Sequence, residues 1–212
     1  MFTVTDCVRE IIQKSPFVQE TLRLGWLNLS QYAQSIQPEV EKKIWKKAQI
    51  GSIVAALGRI RSEVVELFDI KLSINDISLK FPITEFNFPK DPTHPEKIGQ
   101  LYQQLGALEN SFLNIISGNT ETGVFINSKH TDEVLHLFLP QQPNLCVEHL
   151  GAVSVKFNPE HLETVGSVYQ ILKLLVWEKI NLMEVISTYT ELTLIVQKEE
   201  AKKVFDLLSD RF

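Results

Sequence analysis

Two segments of the chain, 70 positions apart, have similar sequences and align without a gap. They cover residues 114–138 and 184–208. A repeat at a fixed spacing constrains the architecture before any local prediction is made. The two segments therefore predict two copies of one structural unit. The strongest identities are Ile116, Ser117, Thr120 and Glu121, which recur as Ile186, Ser187, Thr190 and Glu191, and Val134 and Leu137, which recur as Val204 and Leu207.

Each copy shows the periodicity of a strand, a helix, two strands and a second helix. This order predicts an α+β fold in which helices cover one face of an antiparallel sheet. For the first copy the predicted elements are Ile83–Phe88, Lys97–Leu108, Phe112–Ser117, Glu121–Ile126 and Lys129–Phe138. For the second copy they are Ala152–Phe157, Thr164–Glu178, Leu182–Ser187, Leu192–Gln197 and Glu199–Leu208.

The two copies differ in whether a fourth strand is present. Leu145–Glu148 can form that strand in the first copy. In the second copy only four residues follow Leu208, which is too few for another strand. Since an unpaired sheet edge favours association, we expect either another part of this chain or a second subunit to complete the second unit.

The first 68 residues have helical periodicity. Ser15-Pro16 predicts a helix start and Gly25 its end, because serine caps helices, proline fits their first turn and glycine ends them. Further helices are predicted to start at Ser30, at Pro38 and after Gly51-Ser52.

Residues 70–81 then alternate in hydrophobicity around Asn75-Asp76, which predicts a β-hairpin. Helices followed by a hairpin are typical of a winged helix–turn–helix, although a hairpin that joins the following sheet would give the same pattern. The predicted domains are residues 1–82, 83–150 and 151–212.

Composition restricts the function classes. Residues 1–68 carry 9 Lys/Arg against 7 Asp/Glu, whereas the remainder carries 12 against 19, so the acidic part is poorly suited to binding nucleic-acid phosphates. Cys7 and Cys146 have apolar neighbours, which predicts two buried free thiols and a reducing, cytoplasmic setting. Neither a signal peptide nor an apolar run long enough to span a membrane is present in the sequence.

Sequence motifs for catalysis are absent. The chain has no glycine pattern for dinucleotides or nucleoside triphosphates, no cysteine pairs with zinc spacing and no nucleophile elbow. The five histidines form no recognisable nucleophile or acid–base arrangement. We therefore expect a protein that is not an enzyme and that needs no cofactor or metal.

Residues 83–212 resemble a pair of ACT domains, the ferredoxin-like βαββαβ modules that bind small regulators. The resemblance is carried by Ala152-Val-Ser-Val-Lys156 and by the run from Lys179 to Thr188, and it is greatest to the C-terminal regulatory region of aspartokinases. It implies two interlocked units, a small-molecule effector such as an amino acid, and a homodimer. No segment resembles the aspartokinase catalytic domain.

The resemblance places the ligand site in the loop before the second-copy helix. Free N–H groups at a helix N-terminus attract carboxylates. The alternative is structural: Thr164 caps the helix and Asn158-Pro159 turns the chain. Glu191 and its equivalent Glu121 either contact a ligand amine or are solvated turn acids. The candidate ligand-binding residues are Asn158, His161, Thr164, Val165, Gly166, Asn181 and Ser187.

The N-terminal part carries a second candidate interface, formed by basic residues on its last two predicted helices. They are Lys42, Lys43, Lys46, Lys47, Arg59 and Arg61. These residues can contact DNA phosphates, or they can form a solvated charged face, which the nearby Glu63 and Glu66 favour.

The sequence thus predicts a cytoplasmic regulator that senses a small metabolite through paired ACT-like units, with DNA binding by the N-terminal part as a candidate output. The alternative is a stand-alone interaction subunit that regulates an amino-acid biosynthetic enzyme such as aspartokinase without binding DNA.

Overall fold

A computed structural model describes residues 3–63, 72–106, 111–159 and 164–212. The chain divides into two compact units, Met1–Ile70 and Lys71–Phe212. The boundary predicted between residues 82 and 83 falls inside a strand of the second unit.

The described part of the first unit, residues 3–63, contains four helices that enclose one apolar core. The helices are α1 (Val4–Gln13), α2 (Pro16–Leu24), α3 (Leu29–Ile44) and α4 (Ile50–Glu63). Val8, Ile11 and Ile12 of α1 are buried in this core, as their spacing predicts. Each helix therefore contributes an apolar stripe to a common centre.

The predicted start and end of α2 are confirmed. The Ser15 side chain accepts a hydrogen bond from the Val18 N–H group, Pro16 opens the helix, and Gly25 ends it with φ 76°. By contrast, the helix start predicted at Pro38 is wrong, because Pro38 lies inside the continuous helix α3. Buried Ala33, Ile36 and Val40 lie on both sides of the proline, so packing holds the helix through it.

The second unit is built on one six-stranded antiparallel sheet. The strands are β1 (Ile74–Pro89), β2 (Leu113–Ser117), β3 (Glu121–Asn127), β4 (Leu145–Phe157), β5 (Glu184–Ser187) and β6 (Glu191–Gln197). Their order across the sheet is β2-β3-β1-β4-β6-β5. The helices are α5 (His94–Leu105), α6 (Thr131–Phe138), α7 (Ser167–Trp177) and α8 (Lys198–Arg211), and a 3₁₀ turn at Ser128–His130 precedes α6.

The two long central strands interlock the repeated units. The end of β1 (residues 83–89) pairs with β3 and with the start of β4, which completes the four strands of the first copy. The start of β1 (residues 74–80) pairs with residues 152–157 of β4, which in turn pair with β6. The strand missing from the second copy is therefore supplied by this chain, from a segment that precedes the first copy.

The hairpin predicted around Asn75-Asp76 is wrong, since residues 74–89 form one strand. In the pairing of β1 with β4, Ile74 lies opposite Phe157 and Asp76 lies opposite Lys156, so Asn75 is the extra residue of a β-bulge. A bulge shifts the alternation by one position without reversing the chain, and the shift looks like a turn in the sequence. A wing built from these residues is therefore excluded, and a helix–turn–helix in the first unit stays a prediction.

One face of the sheet packs against helices. In the first copy, Phe86 and Phe88 of β1 lie in a buried cluster with Leu101 of α5 and Phe138 of α6. In the second copy, α8 packs across β4 and β1. At that contact a Cβ atom on Gly151 would lie 2.4 Å from the Cβ atom of Ala201, so glycine is needed for the close approach of strand and helix.

The opposite face of the sheet carries a separate apolar cluster of six buried residues, namely Ile83, Phe112, Phe125, Leu150, Ala152 and Ile195. Glu85 lies on this same face, two residues from Ile83 along β1, and is only 7% exposed. Its Oε2 atom is buried without a hydrogen-bond partner. Burial, and then the nearby Glu184 carboxylate, raise the pKa of Glu85.

The two cysteines differ in exposure. Cys7 is buried as predicted, but Cys146 is exposed, so that part of the prediction is wrong. Pairing between β4 and β6 begins at Leu150, so the first residues of β4 form a local edge that β6 does not cover.

None of the helices in the described ranges is long and apolar enough to cross a lipid bilayer.

Candidate ligand-binding clefts

A cleft of about 210 Å³ lies at one end of the second copy. It is bordered by the end of β4, the start of α7 and the turn between β5 and β6. The residues that line it are Phe157, Thr164, Gly166, Ser167, Val168, Tyr169, Ser187, Thr188, Tyr189 and Glu191.

The topology brings these segments together. Both β4 and β5 run antiparallel to β6, so they are parallel to one another and their carboxyl ends lie at the same edge. The Phe157 N–H group donates to the Thr190 carbonyl at 2.8 Å, which ties the end of β4 to the β5–β6 turn. The Thr188 N–H group donates to the Glu191 carbonyl at 2.8 Å and closes that turn.

The N-terminus of α7 opens into the cleft. Gly166 precedes the helix with φ 92°, and as a glycine this N-cap residue has no side chain with which to cap the first turn. The helix predicted from Thr164 therefore begins at Ser167, because the left-handed glycine interrupts it. The Thr164 carbonyl accepts from the Ser167 hydroxyl at 2.8 Å, so Thr164 is not the cap that the structural alternative required. The Ser167 N–H group donates to the Thr164 carbonyl at 3.4 Å, and the following N–H groups of the first turn, those of Val168 and Tyr169, belong to a helix end of the kind that suits a carboxylate.

Among the described lining residues, Glu191 is the one charged side chain. Hydroxyl groups come from both sides of the cleft, and Glu191 lies on the side of the β5–β6 turn. The Thr193 hydroxyl donates to Glu191 Oε1 at 3.3 Å, which restrains that side chain. The described lining of the cleft thus includes a helix N-terminus at α7 and a carboxylate at the β5–β6 turn, a polarity that suits a zwitterion.

The structure brings only some of the predicted site residues together. Thr164, Gly166 and Ser187 line the cleft. Val165 lies beside it but is 90% exposed, and Asn158 is not among the lining residues.

The structure does not place two further predicted residues in the lining of the cleft. Asn181 precedes β5 and lies at the end of that strand away from the cleft, so its predicted position across from the loop is wrong. His161 lies outside the described residues.

Sequence reasoning missed the aromatic part of the lining. Tyr169 follows the helix start and Tyr189 lies in the β5–β6 turn. The signal was available, because Tyr189 falls inside the repeat between the conserved positions Ser187 and Glu191 of the two copies. It was missed because a turn tyrosine has no motif of its own.

An equivalent cleft of about 450 Å³ lies in the first copy, beside the start of α5. Its lining includes Asp91, His94 and Ser117, and Ser117 is the repeat partner of Ser187. A hydrogen bond links two segments at this cleft, because Lys90 Nζ donates to the Gly118 carbonyl at 2.6 Å. Hydrogen bonds from the Thr93 hydroxyl and N–H group lower the pKa of Asp91.

His94 has a structural role in the first copy. It is 2% exposed, and its two ring nitrogens lie 2.9 Å from Thr122 Oγ1 and 2.7 Å from Gln141 Oε1. An amide oxygen can only accept, so Nε2 carries the proton and Nδ1 accepts from the threonine hydroxyl. Both nitrogens are therefore occupied within the fold.

The basic residues of the first unit are dispersed. Lys42 and Lys43 lie in the last turn of α3, whereas Lys46 and Lys47 follow the helix. Lys43 Nζ is 2.9 Å from the Glu10 carboxylate. The predicted stripe on one helix is therefore wrong, because α3 ends at Ile44.

The arginines of α4 lie close to groups of the same unit. Arg59 donates to the Thr5 hydroxyl at 3.1 Å. The Arg61 guanidinium lies where a Cβ atom on Gly25 would sit.

Within the part of the chain that the structure describes, no three His, Cys, Asp or Glu side chains are close enough to hold a metal ion. The described lining of the second-copy cleft offers hydroxyl groups, the Glu191 carboxylate and the N-terminal end of α7, an arrangement that suits the binding of a small polar molecule.

Solved structures similar in fold to this chain include a regulatory subunit of aspartate kinase and whole aspartate kinases. The chain is similar to the regulatory subunit of aspartate kinase from Thermus thermophilus, with a TM-score of 0.52 and 13% identity over 66% of this chain and 99% of that chain. It is also similar to Clostridium acetobutylicum aspartate kinase, with a TM-score of 0.55 and 16% identity over 68% of this chain and 36% of that chain. For aspartate kinase from Synechocystis the TM-score is 0.52 and the identity 11%, over 77% and 31% of the two chains.

These similarities confirm, at the level of the fold, the resemblance to the aspartokinase regulatory region. The chain spans about a third of the length of the whole kinases that it matches. No protein-family model matches the sequence, and no curated protein is similar to it. Fold similarity at such low identity does not establish function, so function must be argued from the site.

Proposed function

We propose that this protein is a non-enzymatic regulator that binds a free amino acid in the second-copy cleft. The observation that carries the proposal is that the α7 N-terminus, preceded by Gly166, and Glu191 of the β5–β6 turn line the same small cleft. The helix N-terminus suits the α-carboxylate, and Glu191 suits the α-ammonium group. A volume of about 210 Å³ is small for a ligand pocket and fits a metabolite better than a nucleotide.

The hydroxyl groups of the cleft give this ligand a definite orientation. Ser187 and Thr188 come from the turn, and Ser167 comes from the helix, so polar groups surround the charged end of a bound amino acid. Phe157, Val168 and Tyr169 provide apolar contact for its side chain. Binding therefore depends on both charged groups of the amino acid and selects among side chains by size.

Thermal unfolding against a panel of the twenty amino acids tests the proposal. A ligand at 100 times its dissociation constant adds about 2.7 kcal/mol of stability, which raises the melting temperature by several degrees. The selected amino acid should raise it, whereas its amide and its N-acetyl derivative should not, because each lacks one of the two charges.

A matched pair of variants separates the two clefts. Glu191→Gln removes the second-copy carboxylate and should abolish the shift. Glu121→Gln makes the same change at the equivalent position of the first copy and should leave the shift unchanged. No shift with any amino acid in the unmodified protein, or equal shifts for both variants, would contradict the proposal.

A second candidate is a subunit that docks on an amino-acid biosynthetic enzyme such as aspartokinase. It is favoured by the similarity to a free-standing regulatory subunit over nearly the whole length of that subunit. Coupling to DNA is the competing output, and it would depend on exposed Lys42, Lys46 and Lys47.

Binding of a DNA duplex at 50 mM and 200 mM salt distinguishes these outputs. Phosphate-driven binding is tight at low salt and weakens steeply as salt rises. Replacing the three lysines with glutamate should abolish such binding. An absence of binding at 50 mM salt would favour the docking subunit.

A further inference from the structure

The second-copy cleft is lined by two tyrosines whose aromatic and polar groups have no partner within the fold. Tyr169 is 39% exposed and Tyr189 is 76% exposed, and both line the cleft. Among the residues that the structure describes, neither ring packs against another aromatic ring, and neither hydroxyl group makes a hydrogen bond. Tyrosines left without such partners beside a small cleft indicate contacts with a ligand.

The aromatic residues of the first copy are used differently. The Phe88 ring stacks on the rings of Phe86 and Phe138, with centroids 6.1 Å and 4.2 Å apart. All three rings lie in the buried cluster beneath α5 and α6. The repeated unit therefore uses aromatic residues to build its core in the first copy, whereas the second copy places them at its cleft.

Phe157 adds a third aromatic ring to the cleft, at a place where the first copy has a lysine. The Phe157 N–H group donates to the Thr190 carbonyl, and the Lys90 N–H group donates to the Thr120 carbonyl, both at 2.8 Å. Since Thr120 and Thr190 are partners in the repeat, Lys90 and Phe157 are equivalent in the two units. Phe157 is only 7% exposed, so its ring lines the cleft from the buried side.

The two tyrosines are also absent from the first copy. At the spacing of the repeat, Gly99 corresponds to Tyr169 and Asn119 corresponds to Tyr189. Asn119 lines the first-copy cleft, so this turn position borders the cleft in both copies. Because the same unit folds with glycine and asparagine at these positions, the fold does not require the tyrosines, and their place at the cleft indicates a role in selecting the ligand.

The tyrosines come from different sides of the cleft. Tyr169 is the third residue of α7, and Tyr189 lies in the β5–β6 turn, which also carries Glu191. An amino acid whose charged groups lie at the α7 N-terminus and at Glu191 has its side chain beside both rings. The described lining contains no cationic side chain, so this part of the cleft suits an uncharged side chain with an aromatic face.

We propose that the second-copy cleft selects an amino acid with an aromatic side chain, and that Tyr169 and Tyr189 are the specificity-determining residues. The inference rests on the proposed function, because it assigns the side chain of the amino acid bound there. Each offset-stacked or edge-to-face pair of rings adds about 2- to 13-fold to affinity beyond the burial of area, so two pairs add at least about 5-fold. The small volume of about 210 Å³ favours one ring over the fused rings of tryptophan.

Isothermal titration of the whole chain with L-phenylalanine and with L-cyclohexylalanine tests the inference. The two ligands share their charged groups and have side chains of similar size, but only phenylalanine has aromatic faces. We expect phenylalanine to bind at least about 5-fold more tightly.

Variants of the tyrosines then test which residues select the ring. Tyr169→Leu and Tyr189→Leu keep an apolar side chain, so each should lower the ratio of the two dissociation constants by about 2- to 13-fold while cyclohexylalanine still binds. Tyr189→Phe retains the ring and should retain the ratio. Tyr102→Leu is the matched control, because Tyr102 of α5 is 48% exposed and lines neither of the two clefts.

The outcomes separate this inference from the proposed function. Equal dissociation constants for the two ligands, tighter binding of an aliphatic amino acid such as leucine, or a ratio unchanged in both leucine variants would overturn the aromatic selection and leave amino-acid binding intact. Absence of binding by every amino acid would overturn the proposed function and this inference with it. The comparison of the two ligands needs no variant, so it decides the matter even if a leucine variant does not fold.

Discussion

The contact between Gly151 of β4 and Ala201 of α8 gives a stability prediction with a sign that can be worked out from the structure. A Cβ atom on Gly151 would lie 2.4 Å from the Ala201 Cβ atom, whereas ordinary contacts between such atoms are 3.4–4 Å. Gly151→Ala therefore requires α8 to move by about 1 Å or more from the sheet. Overpacking of this kind costs about 1–3 kcal/mol, partly offset by about 0.4–1 kcal/mol from the restricted unfolded chain.

The expected result is a melting temperature lower by about 2–8 °C. Gly99→Ala is the matched control, because nothing lies within 4 Å of its Cβ position in helix α5. This substitution should stabilise the same unit by about 0.5–1 kcal/mol through helix propensity.

The fluorescence of Trp177, in a background with Trp26→Phe and Trp45→Phe, reports unfolding of the second unit alone. Both replaced tryptophans are exposed and belong to the first unit. Opposite shifts for the two glycine variants are predicted. Equal shifts, or an unchanged midpoint for Gly151→Ala, would refute the packing of α8 on β4 described above.

Two further predictions concern buried polar groups. His94→Leu should cost about 2–5 kcal/mol in a denaturant titration, because the Thr122 hydroxyl and the Gln141 amide each lose a buried partner; a loss below 1 kcal/mol would contradict this role. Burial holds the pKa of Glu85 above its ordinary value of 4.5, so the folded chain binds that proton more tightly than the unfolded chain and stability should fall as pH rises from 4.5 through the folded-state pKa. Glu85→Gln should reduce this pH-dependent loss of unfolding free energy, and at pH values above the folded-state pKa the variant should be more stable than the unmodified protein. Identical pH profiles for the two proteins would refute the argument.

The sequence predicted the repeated part of the fold well because its signals are local and regular. In both copies the spacing of the apolar residues changes between the helical and the strand period from one element to the next. The segment from Ile116 to Glu121 also matches the segment from Ile186 to Glu191 without a gap. Caps such as Ser15 and Gly25 also have local causes, so the limits of α2 were predictable.

The interlocked pairing could not be predicted in the same way. Which strand lies beside residues 152–157 depends on a contact between segments far apart in the chain, and nothing in the sequence of residues 74–80 identifies its partner. The bulge at Asn75 also shifts the hydrophobic alternation by one residue, so the sequence of one long strand was interpreted as a hairpin. The helix start predicted at Pro38 failed for a related reason. The local preference of proline for the first turn of a helix was outweighed by the burial of neighbouring residues in α3.

The lining of the second-copy cleft matches the candidate residues only in part, and ligand binding there stays a prediction. The position of the cleft follows from the fold, and Thr164, Gly166 and Ser187 were placed in it from the sequence. Tyr169 and Tyr189 were missed because their convergence depends on the parallel arrangement of β4 and β5. Asn181 was misplaced because its distance from the cleft is set by the length of β5.

The most direct test of the central claim is isothermal titration of the protein with the amino acid that the thermal panel selects. The account predicts saturable binding of one amino acid per chain, lost in Glu191→Gln and retained in Glu121→Gln. Binding that survives Glu191→Gln but is lost in Glu121→Gln would place the site in the first copy and contradict the account.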